Sequence, residues 1–441
     1  MATRREPNAQ LRALLRESGL TQEACARAVN AAAAEIGLQL GYDRTALAHW
    51  LAGSEPKEPV PRLVAEVFSR RLGRLLTPAS LGFAPPADAR GAAAPGAAAA
   101  LAELSRRDAD PLEHARLTRA PYRALARVPG WAEHTARAAT RPEHVRVGAS
   151  EVALVRGAVG HFATAMDVHG GAHARSALAV YVADTAATWL RAPATDVVHR
   201  QLGVESARLV FVLALMHADM NAHGLAQRYF SLALSLAGEA RDKEMWATTL
   251  RAMSSQALHL GHRMSALHCA EAAADSVAGS APGAVRAYLY AQLAVARAEV
   301  GDRRAADAAL ARAEQSVQRD EGDGPFDTYP MGALAFQAAE VHSRLGRSGA
   351  AVRDLHRSAG ARATLDRRGL VLTLSRRAEL LLASGHLEEA CASWAQFVRA
   401  GAGLRSRRVT DAHTRMRSAL RPYGRHAAAR PLLDGASSRD L

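Results

Sequence analysis

The feature that most constrains the fold is a set of small residues that recurs around five turns in the second half of the chain. The turn residues are Asn221, Gly261, Gly301, Gly346 and Gly385, with spacings of 40, 40, 45 and 39 residues. Alanine or serine stands seven residues before each turn, and alanine stands five residues after it. Twelve residues after each turn stands alanine or serine, except at Phe397. A period of this length is typical of repeat proteins built from one helix pair per unit.

Each unit is predicted to be a helix, a tight turn and a second helix. Glycine provides the left-handed conformation that ends the first helix, and small residues allow the two helices to approach closely. One helix pair cannot cover its own apolar face, so we expect the units to stack into a solenoid. The alternative is that an alanine-rich chain matches a small-residue pattern by chance.

These spacings resemble the tetratricopeptide repeat (TPR). The segments 255–261 (SQALHLG) and 381–390 (LLASGHLEEA) look like its turn region. The units are longer than the usual repeat, and most of its large aromatic residues are missing, so we describe them as TPR-like. The resemblance implies an all-α protein.

Composition supports the same fold class. The 441 residues are 49% hydrophobic but only 5% aromatic, and alanine supplies much of the apolar count. Alanine favours helices, whereas β-branched and aromatic residues favour strands. The net charge is +13, and Lys57 and Lys243 are the only lysines. An alanine and arginine bias can arise from a GC-rich genome, so this charge alone is weak evidence for a nucleic-acid partner.

The sequence does not fit several other classes of protein. Three distant cysteines (Cys25, Cys269 and Cys391) do not form a disulfide scaffold or a zinc ribbon, and they fit a reducing cytoplasm. The charged residues 1–8 do not resemble a signal peptide. No stretch approaches 18 uninterrupted apolar residues, so no membrane partner is expected.

The N-terminal region contains four or five predicted helices, at 8–17, Gln22 to about Ala34, Arg44–Leu51 and across Val60–Leu81. The segments 20–26 (LTQEACA) and 43–53 (DRTALAHWLAG) resemble the Xre or lambda-repressor-like helix-turn-helix family over about residues 8–82. That resemblance implies binding to double-stranded DNA and regulation of transcription. The segment between the two motif helices, roughly residues 35–42, is longer than in the family.

In this family the third helix enters the major groove with its N-terminal side chains against the base edges. We therefore expect DNA contacts from Arg44, Thr45 and His49, and phosphate contacts from Thr21 and Gln22. Arg44 could bind guanine bidentately, or it could be a solvated arginine. Thr21 could serve as a helix cap, as a phosphate contact, or as both. Leu47 and Trp50 are predicted to be core residues.

A helix-turn-helix domain joined to TPR-like repeats resembles peptide-responsive regulators of the RRNPP type and related regulators of high-GC bacteria. The resemblance implies a groove that binds a peptide or a small ligand. The positions carried onto this chain are Arg208, Phe211, Arg251, Ser255, His259, Tyr288, Glu299, Phe336, Glu340, Arg344, Ser375 and Glu379. The alternative is that these are ordinary half-exposed helix residues. Asparagines often grip the peptide backbone in such sensors, and only Asn221 lies in the repeats.

The predicted parts are a DNA-binding domain at 1–83, a linker at 84–100, a helical region at 101–200, repeats at 201–400, a basic capping helix at 401–430 and a disordered tail at 431–441. A degenerate unit around Gly170–Gly171 and a loop at 320–325 are further candidates. Residues 399–430 hold nine arginines against one acidic residue, Asp411. Such an arginine face could be solvated, contact DNA phosphates, or contact an acidic partner.

No phosphate loop or nucleophile elbow is present, so an enzyme is not expected. Two histidine groups, one at 161, 169 and 173 and one at 259, 262 and 268 with Cys269, lack carboxylates at ligand spacing, so no metal or other cofactor is expected. The leading hypothesis is a homodimeric transcriptional regulator with a sensing or dimerising repeat domain. The alternative is a protein-interaction adaptor that scaffolds a regulatory complex.

Overall fold

The computed structural model describes residues 6–84, 96–125, 127–131, 146–277, 281–317 and 329–434. Within these ranges the chain forms helices and no strand, which confirms the all-α class. The helices are α1 (Ala9–Ser18), α2 (Gln22–Glu35), α3 (Arg44–Leu51), α4 (Val60–Leu72), α5 (Ala97–Ala109), α6 (Pro111–Leu117), α7 (Ala149–His169), α8 (Arg175–Tyr181), α9 (Ala187–Trp189), α10 (Asp196–Asp219), α11 (His223–Glu239), α12 (Lys243–His259), α13 (Arg263–Ser276), α14 (Gly283–Glu299), α15 (Arg303–Val317), α16 (Met331–Arg344), α17 (Ser348–Gly360), α18 (Arg367–Ala383), α19 (Leu387–Gly401), α20 (Arg407–Leu420) and α21 (Arg430–Asp434). A π-helical turn at Val182–Ala186 joins α8 to α9, and 3-10 turns occupy Ala79–Leu81 and Arg421–Tyr423.

The N-terminal unit comprises α1 to α4 and the first 3-10 turn. Its core is a single apolar cluster in which Leu11, Val29, Leu47 and Phe68 are fully buried. Polar side chains begin the first three helices, where each accepts a hydrogen bond from a backbone N–H of the first turn. These caps explain why the helices begin where the sequence predicts them.

Five helix hairpins follow the turn pattern of the sequence. They are α10–α11, α12–α13, α14–α15, α16–α17 and α18–α19. All five turn residues have positive φ, from 58° at Asn221 to 87° at Gly301. The small residues seven before and five after each turn are 0% exposed, and those twelve after are at most 1% exposed. The paired helices therefore touch at the small residues, and the Ser254 hydroxyl even donates to the Ala266 carbonyl at 2.7 Å.

The hairpins curve until the last one meets the first. Helix α7 packs on α10, and α18 packs on α7. Arg368 of α18 lies 3.3 Å from the Asp219 carboxylate at the end of α10, and 3.7 Å from Asp167 of α7. Asp219 is 1% exposed and also accepts the Gly171 N–H at 2.9 Å. The inner surface is therefore a set of cavities and not one open groove.

Several predicted boundaries differ from the structure. The predicted linker at 84–100 ends early, because α5 begins at Ala97, while its residues 85–95 lie outside the described part. The predicted tail at 431–441 overlaps α21, and its residues 435–441 are likewise outside. The predicted loop at 320–325 is also outside. Gly170–Gly171, the predicted turn of a degenerate unit, does follow a helix. The helices on its two sides pack on other helices, α7 on α10 and α8 on α5 and α10, as distinct from the paired helices of the five hairpins.

One helix in the described residues, α10, is long and apolar enough to cross a membrane by length and composition. Within its apolar window, 72% of the residues are buried inside the fold. Such burial is typical of the core helix of a hairpin array, because other helices cover it on several sides.

Candidate nucleic-acid interface and inner cavities

Helix α3 presents one buried and one exposed face. Leu47 is 0% exposed and Trp50 is 5% exposed, so these residues anchor the helix in the core of the N-terminal unit, as predicted. The ring of Tyr42 meets Trp50 edge-on at 5.0 Å. Arg44, Thr45 and His49 lie on the other face and are all exposed. The predicted contact residues of α3 therefore share one accessible surface.

The long connection between α2 and α3 is held in place by Asn30. Its side-chain amide donates to the Tyr42 carbonyl at 2.8 Å and accepts the Tyr42 N–H at 3.0 Å. Asp43 then caps α3, and the hydrogen bond from the Ala46 N–H lowers its pKa. The extra residues thus form a defined segment that fixes the start of α3 relative to α2.

The predicted phosphate contacts lie at the start of α2. Thr21 is exposed and caps the helix by accepting the Ala24 N–H at 3.1 Å. Gln22 is half-buried, so less of its side chain is available to a partner. Both roles proposed for Thr21 remain compatible, because the cap uses one lone pair of the hydroxyl.

The N-terminal unit docks on the hairpins through a surface away from α3. Glu66 of α4 accepts a hydrogen bond from His262 Nε2 at 2.6 Å, and these side chains are 5% and 3% exposed. Glu66 also pairs with Arg70, which in turn binds Glu35 through two hydrogen bonds of 2.7 and 2.8 Å. This docking therefore leaves the exposed face of α3 open.

A cavity of about 970 Å³ lies where the N-terminal unit meets the hairpins. Its lining includes the end of α2 (residues 34–37) and the turn at Asn221. Beside it is a buried network around Asp108, which the sequence analysis missed. Asp108 accepts hydrogen bonds from His114 at 2.7 Å, His217 at 2.8 Å and the Tyr229 hydroxyl at 2.7 Å, and it lies 3.3 Å from Arg175. Burial would raise the pKa of Asp108, but the hydrogen bonds from His114 and His217 hold it below its ordinary value.

A second cavity, of about 300 Å³, lies on the inner side of the hairpins and is called the arginine cavity below. Five predicted groove residues line it, namely Ser255, His259, Phe336, Glu340 and Arg344. Four arginines line it: Arg344, Arg376, Arg408 and Arg415. The first two bind Glu340. Burial would raise the pKa of the Glu340 carboxyl group, but these two guanidinium groups hold it below its ordinary value. The predicted positions and the C-terminal helix α20 therefore meet at one site.

The remaining groove residues are dispersed. Phe211 and Tyr288 line a third cavity, of about 330 Å³, together with Arg362 and Arg368. Arg251 lies over the Tyr288 ring at 4.0 Å, and Glu299 pairs with Arg344 at 2.8 Å. Glu379 pairs with Arg415 at 3.2 Å.

Two of the predicted groove residues are almost fully buried, and a third lies outside all three cavities. Phe211 is only 3% exposed although it lines the third cavity, and Ser375 is only 2% exposed. Arg208 lies 3.5 Å from Glu205 of its own helix and lines none of these three cavities. The position of a residue within the repeat does not by itself show whether its side chain lies on the inner surface of the hairpins or in the interior between helices.

Part of the arginine-rich segment, residues 399–430, packs against the rest of the fold. Backbone hydrogen bonds join Arg405 to His169 and Ala172, at 2.8 and 3.0 Å. Asp411 of α20 accepts the Asn221 side-chain amide at 2.5 Å, and it also pairs with Arg407 at 3.2 Å. Val409, Met416 and Leu420 are buried, as their helical spacing predicted. Helix α20 therefore covers the inner side of the hairpins.

The three cysteines and several histidines lie in surroundings that indicate a role in packing. All three cysteines are buried, and burial raises the pKa of Cys25 to about 11 and that of Cys269 to about 12. These thiols are therefore poor nucleophiles. His262 belongs to the docking contact with Glu66, and the rings of His169 and His173 lie 4.3 Å apart at an interplanar angle of 34°. Among the described residues, no group of three histidine, cysteine or acidic side chains is placed to hold a metal ion.

A family model described as the SP15 N-terminal domain matches residues 11–84. The matched segment runs from α1 to the residues after the first 3-10 turn, and so coincides with the N-terminal unit. The comparison with curated proteins gives no match.

Proposed function

We propose that this chain is a cytoplasmic, sequence-specific DNA-binding transcriptional regulator. In this proposal the N-terminal unit is a helix-turn-helix domain of Xre type. The five hairpins are a TPR-like solenoid that senses a peptide or small ligand, dimerises, or does both. The observation that carries the proposal is the exposed face of α3, where Arg44, Thr45 and His49 stand on a helix anchored by Leu47 and Trp50.

Two further observations support this proposal. The segment before α3 is fixed by Asn30, so the recognition helix has a defined position in the absence of DNA. The N-terminal unit docks through α4, and the end of α2 borders the cavity between this unit and the hairpins, so α3 stays accessible. A preorganised, exposed helix is what major-groove recognition requires.

The test is selection of bound DNA sequences by the purified protein, followed by affinity measurements on the selected site. Arg44→Ala should weaken specific binding by about 1–3 kcal/mol and relax preference at one base position. Arg353→Ala, which removes an exposed arginine on α17, is the matched control and should leave the affinity unchanged. An Arg44→Ala protein with unchanged affinity and preference would refute this assignment.

Salt dependence separates the regulator from a protein-interaction adaptor. A DNA-binding protein releases counterions, so its affinity should fall steeply as salt rises. An adaptor should show only weak, sequence-independent retention of DNA. A footprint with two half-sites about one helical turn apart, or a multiple of this, would support a homodimer, whereas binding to a single half-site would count against it.

A further inference from the structure

Arg408 occupies an unusual electrostatic position in the arginine cavity. It projects from the first turn of α20 and is half-buried. Burial lowers its pKa, and the positive charges of Arg368 and Arg415 lower it further, while Asp219 and Glu340 act in the opposite direction. In the described part of the chain, no carboxylate is close enough to Arg408 to form an ion pair.

The other arginines of the cavity are compensated. Arg344 lies 2.8 Å from Glu299, Arg376 lies 2.7 Å from Glu340, and Arg415 lies 3.2 Å from Glu379. The remaining carboxylate of the lining, Asp411, is engaged by Arg407 and Asn221. One positive charge is therefore left over, and it is that of Arg408.

A guanidinium group that is half-buried and has no ion-pair partner loses part of its hydration, and an anion would offset this loss. We propose that the arginine cavity binds a small effector through a carboxylate or phosphate group that pairs with Arg408. This proposal names the effector class of the regulator proposed above and rests on that function for its regulatory meaning. The binding itself depends only on the cavity.

The rest of the lining suits a compact ligand with one charged end. Phe336, Leu372 and Val295 supply apolar surface, while Ser255 and Gln337 supply neutral hydrogen-bonding groups. A volume of about 300 Å³ lies at the lower end of the usual range for small-molecule sites, about 300–1,000 Å³. The cavity therefore fits a small organic anion better than an extended peptide.

The arginine cavity adjoins the larger cavity of about 970 Å³. Asn221, His259 and Asp411 line both of them. The larger cavity reaches residues 34–37, where α2 ends and the connection to α3 begins. An anion beside Arg408 would repel the Asp411 carboxylate and so weaken its bond to Asn221. That gives the ligand a physical route to the DNA-binding unit.

The first test uses inorganic phosphate and succinate as probes, at equal ionic strength against sodium chloride. Each probe is added to the full-length protein, and the Tm is measured. We expect at least one probe to raise the Tm of the wild-type protein by about 2 °C or more. The two probes distinguish a phosphate-bearing effector from a carboxylate-bearing one. Absence of any rise beyond that in chloride would overturn the proposal.

Arg408→Gln should abolish this rise, whereas Arg425→Gln should retain it. Arg425 is an exposed arginine of the same segment, so the control removes the same charge from outside the cavity. Without a probe, Arg408→Gln should be at least as stable as the wild type, because it removes a half-buried charge that has no carboxylate partner. An Arg408→Gln protein that still responds like the wild type would overturn the proposal.

A second variant decides the question even if Arg408→Gln does not fold. Gln337→Glu places a carboxylate in the cavity with almost no change in shape. It should raise the Tm without a probe and suppress the response to phosphate or succinate. A Gln337→Glu protein with lower stability and an intact response would contradict the proposal.

The outcome is separable from that of the proposed function. Arg44→Ala should respond to the probes like the wild type, because Arg44 lies on α3. If the protein binds no specific DNA but phosphate or succinate still stabilises it through Arg408, the regulatory function fails and the anion site stands. If DNA binding is specific and neither probe acts, the anion site fails alone.

Discussion

Asp108 is the residue whose replacement should be most damaging outside the N-terminal unit. It is 2% exposed and accepts hydrogen bonds from His114, His217 and Tyr229, with Arg175 also within 3.3 Å. Asp108→Asn removes the charge and turns an N–H₂ group toward side chains that are themselves donors. Breaking a buried charged network costs about 3–5 kcal/mol. The lower end applies here, because His114 and Arg175 retain some exposure to water.

The measurement is urea unfolding followed by circular dichroism, with two comparison variants. Tyr229→Phe removes one hydrogen bond to the carboxylate and should cost about 1.5–3 kcal/mol. Asp184→Asn makes the same chemical change at an exposed position and should stay within about 0.5 kcal/mol of the wild type. If Asp108→Asn unfolds within about 1 kcal/mol of the wild type, the reasoning about this network is wrong.

The same network predicts a pH dependence with a definite sign. The pKa of Asp108 is lowered in the folded protein, while an unfolded aspartate titrates near about 3.9. Its contribution to stability is therefore complete above about pH 5 and is lost as the pH falls through the lowered folded pKa. The difference in stability between the wild type and Asp108→Asn should shrink between about pH 5 and pH 2. A difference that stays constant over this range would refute the assignment of the ionised carboxylate to this network.

Three other changes test the packing of the helices, by thermal or urea unfolding. Ala306→Leu should cost about 1–3 kcal/mol because its methyl group already touches the partner helix, whereas Ala308→Leu on the exposed face should cost less than about 0.5 kcal/mol. Gly301→Ala should cost about 1–2 kcal/mol from backbone strain alone, because an added methyl group meets no atom within 4 Å. His262→Ala should cost about 1.5–3 kcal/mol and increase hydrogen exchange in α4, because the buried Glu66 carboxylate loses one of its two side-chain partners. Equal effects at Ala306 and Ala308 would contradict the close helix packing at Ala306. A neutral Gly301→Ala would contradict the backbone strain expected there, and unchanged exchange in α4 would contradict the docking role of His262.

Features that depend on nearby residues were predictable from the sequence. The bounds of α3, Arg44–Leu51, agree with prediction, because a polar cap precedes the helix and glycine follows it within two residues. The positive φ at Gly301 follows from the requirement for a left-handed turn residue between two closely packed helices. Exposure of Arg44 and burial of Trp50 follow from helical periodicity once the bounds are known.

Features that depend on distant pairings were not predictable. Asp108 meets Tyr229 across 121 residues, and Arg368 meets Asp219 across 149. A single buried acid leaves no periodic signal in the sequence, because its partners come from helices brought together only by the fold. For the same reason, the arginine-rich segment could be recognised as basic but not as part of an inner cavity.

The closure of the hairpins changes which ligand the inner surface favours. An open array offers a long concave face that suits an extended peptide. Here Arg368 joins the last hairpin to Asp219 of the first, and α20 lies over the inner side. A long peptide would have to displace both, at the cost of a buried ion pair and the apolar contacts of α20. A small anion needs neither change, since Arg408 already lies inside the cavity without a carboxylate partner among the described residues. The scarcity of asparagines in the repeats and the shape of the cavity therefore favour the same class of ligand.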